Sequence, residues 1–577
     1  MSVWIWLSWA PMREKITIEA TWPFQSLALL GGGYRLWGGL FRIRRLKRLR
    51  ARPKSFLKLE TLISGELMRD REVFMGRGFS WGRETTQQAI DFQRNGRTGL
   101  KGNTSGIKGW IHGMHASESP LRLPLQALDG HLLLVGTTGS GKTRLFELLI
   151  AQAIARHECV IIVDPKGDRD LMETARATCL ALGHPDRFVY FHPGFPESSV
   201  RINPLRNFNR ASELASRIAG ILPSQGPQDP FKAFSQKALD NVVQGLLLLG
   251  VRPSLNRLRV TLERGPSALI VEILEAHFIA QGHADFDQSI GPLKRKGSDA
   301  RAKALIHYYH THIMATHPLP SIDGLLSLFE HDRIHFGKMI ASLLPLMNML
   351  TTGTLGPLLS PEIKPLREDQ PQTHLGRIIR KAQVFYCGLD SLSDASVGSA
   401  LGSILLADLA SIAGDRYNYE SHPKPINVFV DEAAEVVNDP CIQLLNKGRG
   451  SKIRMTLATQ TFADFSARTG SEAKARQILG NLNTLVSLRI QDAETQRYIA
   501  ESFPKVRIHT LMRTQGTATL SQNPAFYTGN IGERLIEEEV DLVPAALLGQ
   551  LPDLEYFVRL PSGEVYKGRL PILEHHG

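Results

Sequence analysis

The chain has few cysteines and nothing that repeats along its length. Only four cysteines occur among its 577 residues, at positions 159, 179, 387 and 441, and their spacing excludes a zinc site. Cys159 and Cys387 lie within apolar runs, so we expect buried free thiols in a reducing compartment. With 42% hydrophobic and 21% charged residues, the composition is typical of a globular protein and excludes a mainly disordered or multi-spanning chain.

A clear secretion signal is also missing, although the N-terminus contains apolar stretches. Residues 1–12 are too short to span a bilayer, and no small-residue cleavage site stands out. Residues 22–41 have the length of a spanning helix, but three glycines and Arg35 interrupt them. The dense basic cluster at residues 41–52 follows. The positive-inside rule therefore predicts a membrane anchor that leaves the rest of the chain in the cytoplasm. A peripheral amphipathic attachment is the alternative.

Negative charge is in short supply. The chain has 68 lysines and arginines against 56 aspartates and glutamates, a net charge of +12. An excess of this sign favours an anionic partner, either nucleic acid or an anionic lipid surface. Charge alone leaves open a basic cytosolic enzyme with no such partner. A chain of this length exceeds what one hydrophobic core usually organises, so we expect two or three domains.

Short apolar runs alternate with helical patterns in two parts of the chain. This alternation predicts a parallel sheet in a doubly wound α/β domain. The predicted strands are residues 131–135, 158–163, 188–191, 383–387, 426–430, 454–458 and 485–489, with a terminal hairpin at 554–569.

Between the two parts the pattern becomes helical. Residues 239–249, 267–278 and 301–314 have apolar side chains three and four positions apart. We interpret this region as an all-α domain inserted into the α/β domain. The predicted organisation is a membrane-proximal segment at residues 1–54, the nucleotide-binding domain at 55–210 and 350–577, and the insertion at 211–349.

One segment matches the phosphate-loop pattern G-x-x-x-x-G-K-[ST] at every constrained position. It consists of Gly136, Thr137, Thr138, Gly139, Ser140, Gly141, Lys142 and Thr143. Glycines allow the backbone N–H groups to surround an anion at a helix N-terminus. Lys142 is expected to reach the β- and γ-phosphates of ATP, and the Thr143 hydroxyl is expected to bind Mg²⁺. A buried strand before the loop and an amphipathic helix after it supply the context that the motif needs.

A phosphate loop requires an acidic partner for the Mg²⁺ site at the end of a neighbouring strand. Asp164 and Asp431 both follow buried runs. Asp431 is the better candidate because Glu432 follows it and can act as the base for the attacking water. Asp164 precedes a proline and has no such neighbour, so its turn, residues 164–168, either contacts nucleotide or shapes a subunit boundary; a plain turn is the alternative.

Two further residues are weaker candidates on their own. Gln460 ends a predicted strand beside the metal strand and is placed to sense the γ-phosphate or position water. Arg449 lies in a glycine-flanked turn and is expected to project outward, toward a neighbouring subunit; a solvated arginine is the alternative.

Taken together, ten segments occur in the order found in the type IV coupling proteins, the TraD/TraG family of conjugative systems. They span roughly residues 121–500. The segments are 136–143, 164–168, 191–194, 202–205, 229–231, 350–353, 430–432, 447–450, 458–460 and 488–489. The chain resembles this family, which groups with FtsK/HerA-type translocases, and is most similar to the TraD branch of integrative conjugative elements.

The resemblance implies a RecA-like nucleotide-binding domain with an inserted all-α domain. It also implies a homo-hexamer at the cytoplasmic face of the bacterial inner membrane, with ATP and Mg²⁺ between subunits and single- or double-stranded DNA in a central channel. The implied partners are a relaxase or relaxosome and the proteins of a type IV secretion channel. By motif, Lys142, Glu432, Arg449 and Gln460 would be catalytic, with Arg449 as an arginine finger acting on the neighbouring subunit. Family members commonly have two spanning helices, whereas this chain offers one imperfect candidate.

The leading hypothesis is therefore an ATP-driven DNA translocase that acts as a conjugative coupling protein. Two alternatives remain. One is a chromosome-segregation or packaging pump of the FtsK/HerA type, against which the long helical insertion argues. The other is a nucleotide-switched receptor that docks substrates at a secretion channel without pumping DNA.

Overall fold

The computed structural model describes most of the chain after its N-terminal segment. The described residues are 54–94, 111, 118–222, 229–283, 285–290, 297–519 and 527–574. The predicted anchor and its basic cluster lie outside them.

An eleven-stranded mixed sheet forms the centre of the fold. From one edge to the other it contains β3 (Ser119–Pro124), β2 (Glu72–Ser80), β16 (Val565–Arg569), β15 (Glu555–Arg559), β12 (Thr484–Ser487), β4 (Leu132–Val135), β11 (Ile453–Thr459), β10 (Ile426–Val430), β5 (Cys159–Asp164), β9 (Val384–Gly388) and β6 (Phe188–Phe191). A separate parallel pair consists of β1 (Phe56–Lys58) and β17 (Ile572–Glu574). The seven strands from β12 to β6 are parallel, and the other four extend the sheet in antiparallel pairing. Six of the seven parallel strands are fully buried because helices cover both faces of the sheet, and the edge strand β6 is half buried.

Twenty-one α-helices accompany the sheet in the described residues. They are α1 (Leu59–Ile63), α2 (Arg83–Arg94), α3 (Lys142–Ala155), α4 (Arg169–Ala181), α5 (Ala211–Ala219), α6 (Pro230–Leu248), α7 (Leu255–Arg264), α8 (Ser267–Ala280), α9 (Phe286–Ile290), α10 (Ser298–Tyr308), α11 (Asp323–Glu330), α12 (Arg333–Met339), α13 (Leu343–Thr351), α14 (Leu355–Leu359), α15 (Leu375–Arg380), α16 (Ala395–Tyr419), α17 (Asp439–Lys447), α18 (Phe462–Thr469), α19 (Glu472–Gly480), α20 (Ala493–Glu501) and α21 (Ala545–Gln550).

Ten consecutive helices, α5 to α14, form a helical insertion between two short strands. β7 (Arg201–Ile202) precedes the insertion and β8 (Gln372–Thr373) follows it, and the two strands pair in parallel. This pairing brings the two ends of the insertion together next to β6, because the N–H of Val200 donates to the carbonyl of Tyr190 at 2.9 Å. The predicted fold class is confirmed: an α/β P-loop domain of the RecA-like kind with an inserted all-α region.

A long hairpin, which the sequence did not predict, projects between α20 and α21. Its strands are β13 (Lys505–Thr519) and β14 (Tyr527–Asp541), and they pair only with each other. Beyond the base of the hairpin, both faces of its described part are largely exposed, so burial imposes no alternation of polar and apolar residues there. The hairpin is anchored near its base by α2, where the N–H of His509 donates to the Gln87 side chain at 2.7 Å.

One helix of the described residues, α16, is long and apolar enough to cross a membrane by length and composition alone. The relevant part of α16 is 72% buried within the protein, however, and it packs beside α17 and α5. A helix with this degree of burial is expected in the core of a large α/β domain.

Candidate functional site

The phosphate loop connects β4 to α3 at the carboxyl edge of the parallel strands. Gly139 and Gly141 have φ angles of 76° and 118°, which side chains other than glycine rarely adopt. A Cβ atom on Gly141 would also meet the Leu554 side chain at 3.0 Å. These conformations allow the backbone to curl at the start of α3, where N–H groups and the helix dipole favour an anion.

Lys142 points back across the mouth of this loop. Its Nζ donates to the carbonyl of Gly136 at 2.9 Å and lies 3.6 Å from Glu432 Oε1. Burial lowers the pKa of Lys142, and the charges of Glu432 and Asp431 only partly oppose that effect. A partly desolvated ammonium group with such loose contacts is suited to transfer its interactions to a phosphate.

Asp431 follows β10, two strands away from the phosphate-loop strand β4, with β11 between them. Burial and the neighbouring carboxylates of Glu432 and Asp164 raise the pKa of Asp431 to about 6. Its Oδ1 accepts the N–H of Glu432 at 3.0 Å, and it forms no ion pair with a side chain of the described residues. A buried carboxylate in negative surroundings is stabilised when a divalent cation binds nearby.

Three donor groups surround a single oxygen of Glu432, Oε1. Lys166 Nζ is ion-paired with Oε1, Gln460 Nε2 donates to it at 2.9 Å, and Lys142 approaches as described above. Burial acts to raise the pKa of Glu432, but the two lysine charges and these hydrogen bonds lower it overall. Glu432 also has a left-handed backbone, with φ 37° and ψ 53°, a strained conformation for a residue with a side chain. The structure therefore holds an ionised carboxylate at the loop.

Gln460 contacts both the phosphate loop and Glu432. It directly follows β11, and its Oε1 accepts a hydrogen bond from the Thr138 hydroxyl at 3.3 Å while its amide donates to Glu432. Four of the predicted side chains, Lys142, Gln460, Glu432 and Asp431, are thus brought together.

Asp164 has a different environment. It lies one strand beyond Asp431, on β5, and its two oxygens accept four hydrogen bonds. The donors are the N–H groups of Lys166, Gly167 and Asp168, at 3.0, 3.1 and 2.6 Å, and the Tyr386 hydroxyl at 2.7 Å. These bonds organise the turn at residues 164–168 and leave Asp164 little capacity for a metal, so the geometry favours Asp431.

The ligands predicted for Mg²⁺ are oxygen atoms, which this ion prefers. The hydroxyl of Thr143 and the carboxylate of Asp431 are hard oxygen ligands, and Mg²⁺ usually takes few protein ligands besides phosphate and water. Within the described residues no group of three or more His, Cys, Asp and Glu side chains is arranged to hold a metal unaided. The Thr143 hydroxyl here donates to Asp168 Oδ2 at 3.3 Å, so Asp168 already orients it.

Arg449 is exposed and lies far from these groups within its own chain. It occupies a 3₁₀ turn, Gly448–Ser451, just before β11, whereas Gln460 follows the other end of the same strand. Seven strand residues span about 20 Å. The side chain of Arg449 has no hydrogen-bond or ion-pair partner among the described residues. Arg489, in contrast, is ion-paired with Asp553 at 2.6 Å, and its carbonyl accepts the N–H of Thr137 at 2.9 Å.

Sequence reasoning missed the roles of Lys166 and Asp168 in this geometry. Both belong to the turn after β5, which the motif pattern singled out without a definite function. The missing information was the strand order: β5 pairs with β10, so the turn lies beside Glu432 although 266 positions separate Lys166 from it.

Two family models match the chain, and together they include every residue of the site. The model of the HerA helicase central domain matches residues 112–258, which contain the phosphate loop and the turn at 164–168. The model described as the TraM recognition site of TraD and TraG matches residues 425–553, which contain Asp431, Glu432, Arg449 and Gln460. No curated protein matches the sequence.

Several solved structures share the general arrangement at low identity. The unbound bacterial conjugative coupling protein TrwB is 16% identical, over 79% of this chain and 87% of that one, with a TM-score of 0.49. Plasmid coupling protein TrwB with ADP and Mg²⁺ is 14% identical, over 88% and 97%, with a TM-score of 0.48. VirB4 of Thermoanaerobacter pseudethanolicus is 14% identical, over 76% and 89%, with a TM-score of 0.39. These likenesses are too distant to assign residue roles.

The order of the two matched segments agrees with the order of the motifs. A phosphate loop at a parallel sheet, with an acidic pair two strands away, makes the protein a P-loop NTPase. The family models confirm that the chain resembles the type IV coupling proteins of the TraD/TraG family, built on a HerA-type ATPase core.

Proposed function

We propose that this protein is an ATP-driven DNA translocase that acts as a conjugative coupling protein. The observation that carries the proposal is the convergence of Lys142, Gln460 and Glu432 at a phosphate loop, in a chain whose site lies within HerA-type and TraG/TraD-type segments. Bound ATP and Mg²⁺ would supply the γ-phosphate that is cleaved and the cation that neutralises its charge.

The phosphate loop would bind the nucleotide, and residues that follow β10 and β11 would bind the metal and promote hydrolysis. The N–H groups of residues 137–143 would hold the phosphates, with Lys142 on the γ-phosphate and Thr143 and Asp431 as the metal ligands. Glu432 would accept a proton from the attacking water, while Gln460 holds that water in line.

Nucleotide binding at Lys142 would change the basicity of Glu432. In the present arrangement Lys142 stabilises the ionised form of Glu432 and so weakens it as a base. A γ-phosphate that draws Lys142 away would raise the pKa of Glu432 toward its usual value and strengthen it. Lys166 remains beside Glu432 and keeps its oxygen oriented.

The proposed partners follow from the coupling role. We expect a homo-hexamer with DNA in its channel, a relaxase or relaxosome as the source of the DNA, and a type IV secretion channel as its exit. The net charge of +12 suits a polyanionic substrate. Hydrolysis outside conjugation, as in an FtsK/HerA-type pump, and a receptor that only switches with nucleotide are the competing functions.

Stimulation of ATP hydrolysis by single-stranded DNA separates the pump from the receptor. We expect the steady-state rate of the purified protein to rise severalfold on adding the DNA and to stay at background in Lys142→Ala with or without it. A nucleotide-switched receptor would hydrolyse ATP at a rate that does not depend on DNA, and that result would overturn the proposed function.

Attachment to the inner membrane through the N-terminal segment is a separate proposal. A variant that begins at Ser55 should be recovered in the soluble fraction of bacterial cells, while the full chain sediments with membranes, because residues 22–41 and the basic cluster would be gone. If both proteins sediment, or neither does, residues 1–54 do not provide the anchor.

A further inference from the structure

An arginine cluster lies at the junction between the helical insertion and the sheet. Arg206 follows β7, Arg377 and Arg380 lie on α15 directly after β8, and Arg252 lies between α6 and α7. The pairing of β7 with β8 brings the first three together, since the N–H of Asn203 reaches the carbonyl of Thr373 at 3.4 Å.

The loop that carries Arg252 is connected to the same junction through the turn at residues 360–363. The guanidinium of Arg201, on β7, donates to the carbonyls of Pro361 and Ile363 at 2.9 and 2.6 Å. The N–H of Asn256 donates to the Ser360 hydroxyl of that turn at 3.2 Å. The junction thus draws four arginines from three separate segments of the chain.

Opposite charge is missing from the cluster. None of the four arginines forms an ion pair with a carboxylate among the described residues. The only side-chain hydrogen bond that they make to those residues runs from Arg377 to the carbonyl of Gln372, at 3.4 Å. Burial, and then the charges of Arg252 and Arg380, lower the pKa of Arg206. The four charges therefore repel one another.

Two polar atoms within the cluster also have no partner. They are Nδ1 of His374 and Oγ1 of Thr373, both buried. Burial and the surrounding arginines lower the pKa of His374 to about 4, so its ring is neutral at neutral pH and adds no further repulsion. Arg252, Arg377 and Arg380 are exposed, which leaves their guanidinium groups open to a ligand.

We propose that Arg206, Arg252, Arg377 and Arg380 form a binding site for the phosphate backbone of nucleic acid at the base of the helical insertion. A phosphodiester backbone would supply the missing negative charge and accept bonds from the guanidinium groups. All four cations are arginines, whose planar donors match phosphate oxygens in pairs. Arg377 and Arg380, three positions apart on α15, face the same side and would contact neighbouring phosphates. This inference rests on the proposed function for the identity of the polyanion.

Salt dependence of DNA binding tests the site directly. The affinity of the full protein for a fluorescein-labelled single strand should be measured by anisotropy over a range of salt concentrations. Each arginine–phosphate contact contributes about 0.7 to the slope of log K against log salt for a single strand. The double variant Arg377→Ala/Arg380→Ala should bind more weakly and lose about 1.4 from the magnitude of that slope.

A charge-matched control separates this site from general attraction. Arg176 and Arg367 are exposed arginines that are already paired with Glu173 and Asp369. The double variant Arg176→Ala/Arg367→Ala removes the same charge but should keep the slope of the parent protein. Equal slopes for the cluster variant and the parent would overturn the assignment. So would loss of binding to phosphatidylglycerol vesicles by the cluster variant with its DNA slope unchanged, because the anion would then be a lipid.

The stability of the cluster variant provides a second readout. If the arginines merely support the fold, their removal lowers the melting temperature in the absence of DNA. Because they repel one another, we expect the melting temperature at low salt to stay the same or rise. The site and the proposed function can fail separately. If the cluster variant shows the expected loss of slope relative to the parent protein, but the parent hydrolyses ATP at a rate that does not depend on DNA, the pump is refuted and this site stands.

Discussion

Replacing Arg449 with alanine should slow ATP hydrolysis by about 10³- to 10⁵-fold, the range measured for arginine fingers, while ATP binding stays close to that of the parent protein. Hydrolysis develops negative charge that Lys142 and Mg²⁺ neutralise only in part. A guanidinium remains protonated at any physiological pH and can form two parallel bonds to phosphate oxygens. The measurements are a steady-state ATPase rate and a nucleotide titration, with Arg476→Ala as an exposed-arginine control that should leave both unchanged.

We propose that the target of Arg449 lies on a neighbouring subunit. It precedes β11, and the phosphate loop of its own chain lies at the opposite end of that strand, about 20 Å away. An exposed side chain without a partner is free to enter a neighbour's site. Arg489 is a weaker candidate, because its ion pair with Asp553 and its contact with Thr137 hold it beside its own loop.

Mixed assemblies decide whether Arg449 acts in this way. Arg449→Ala and Glu432→Gln subunits, each inactive alone, can form an interface that pairs an intact Glu432 with an intact Arg449. Some activity should therefore return on mixing. If rings shown to contain both variants stay inactive at every ratio, Arg449 does not act between subunits.

Glu432→Gln should bind ATP with nearly unchanged affinity and hydrolyse it about 10²- to 10⁴-fold more slowly, as expected for the loss of a general base. Glutamine keeps the shape of the side chain but cannot take a proton from water. Single-turnover measurements with radiolabelled ATP would separate binding from the chemical step.

Asp164→Asn is the matched comparison for that variant, because both changes replace a buried carboxylate by an amide of similar size at the same edge of the sheet. Asp164 accepts hydrogen bonds from three N–H groups and one hydroxyl, so its loss should lower the melting temperature and disturb the turn that carries Lys166. If instead Asp164→Asn abolishes turnover in a protein of normal stability while Glu432→Gln mainly loses ATP affinity, the catalytic carboxylate lies on β5.

The local motifs of the site were readable in the sequence because each depends on a short stretch of chain. The phosphate loop needs its glycines and Lys142 within eight residues, and the acidic pair ends a five-residue apolar run. Strand order was not readable, since the adjacency of β5 and β10 arises from pairing between segments more than 260 residues apart. The contact of Lys166 with Glu432 depends on that adjacency.

The antiparallel extension of the sheet and the long hairpin were also not predictable from the sequence, each for its own reason. β2 and β3 join the sheet through β16, so their place depends on the other end of the chain. Beyond the base of the hairpin, the described parts of β13 and β14 are largely exposed on both faces, so burial imposes no alternation of apolar and polar residues there. The place of β2 and β3 therefore depends on non-local contacts, whereas the hairpin strands pair only with each other and lack the pattern of a half-buried strand.

Movement along DNA is the most direct test of the central claim, that ATP hydrolysis drives translocation. A streptavidin bound to the end of a biotinylated single strand should be displaced by the full protein in the presence of ATP and Mg²⁺, at a rate that exceeds spontaneous dissociation. Displacement should vanish in Glu432→Gln, although that variant still binds both ATP and DNA. A protein that binds the strand and hydrolyses ATP, yet leaves the streptavidin in place, would contradict the account.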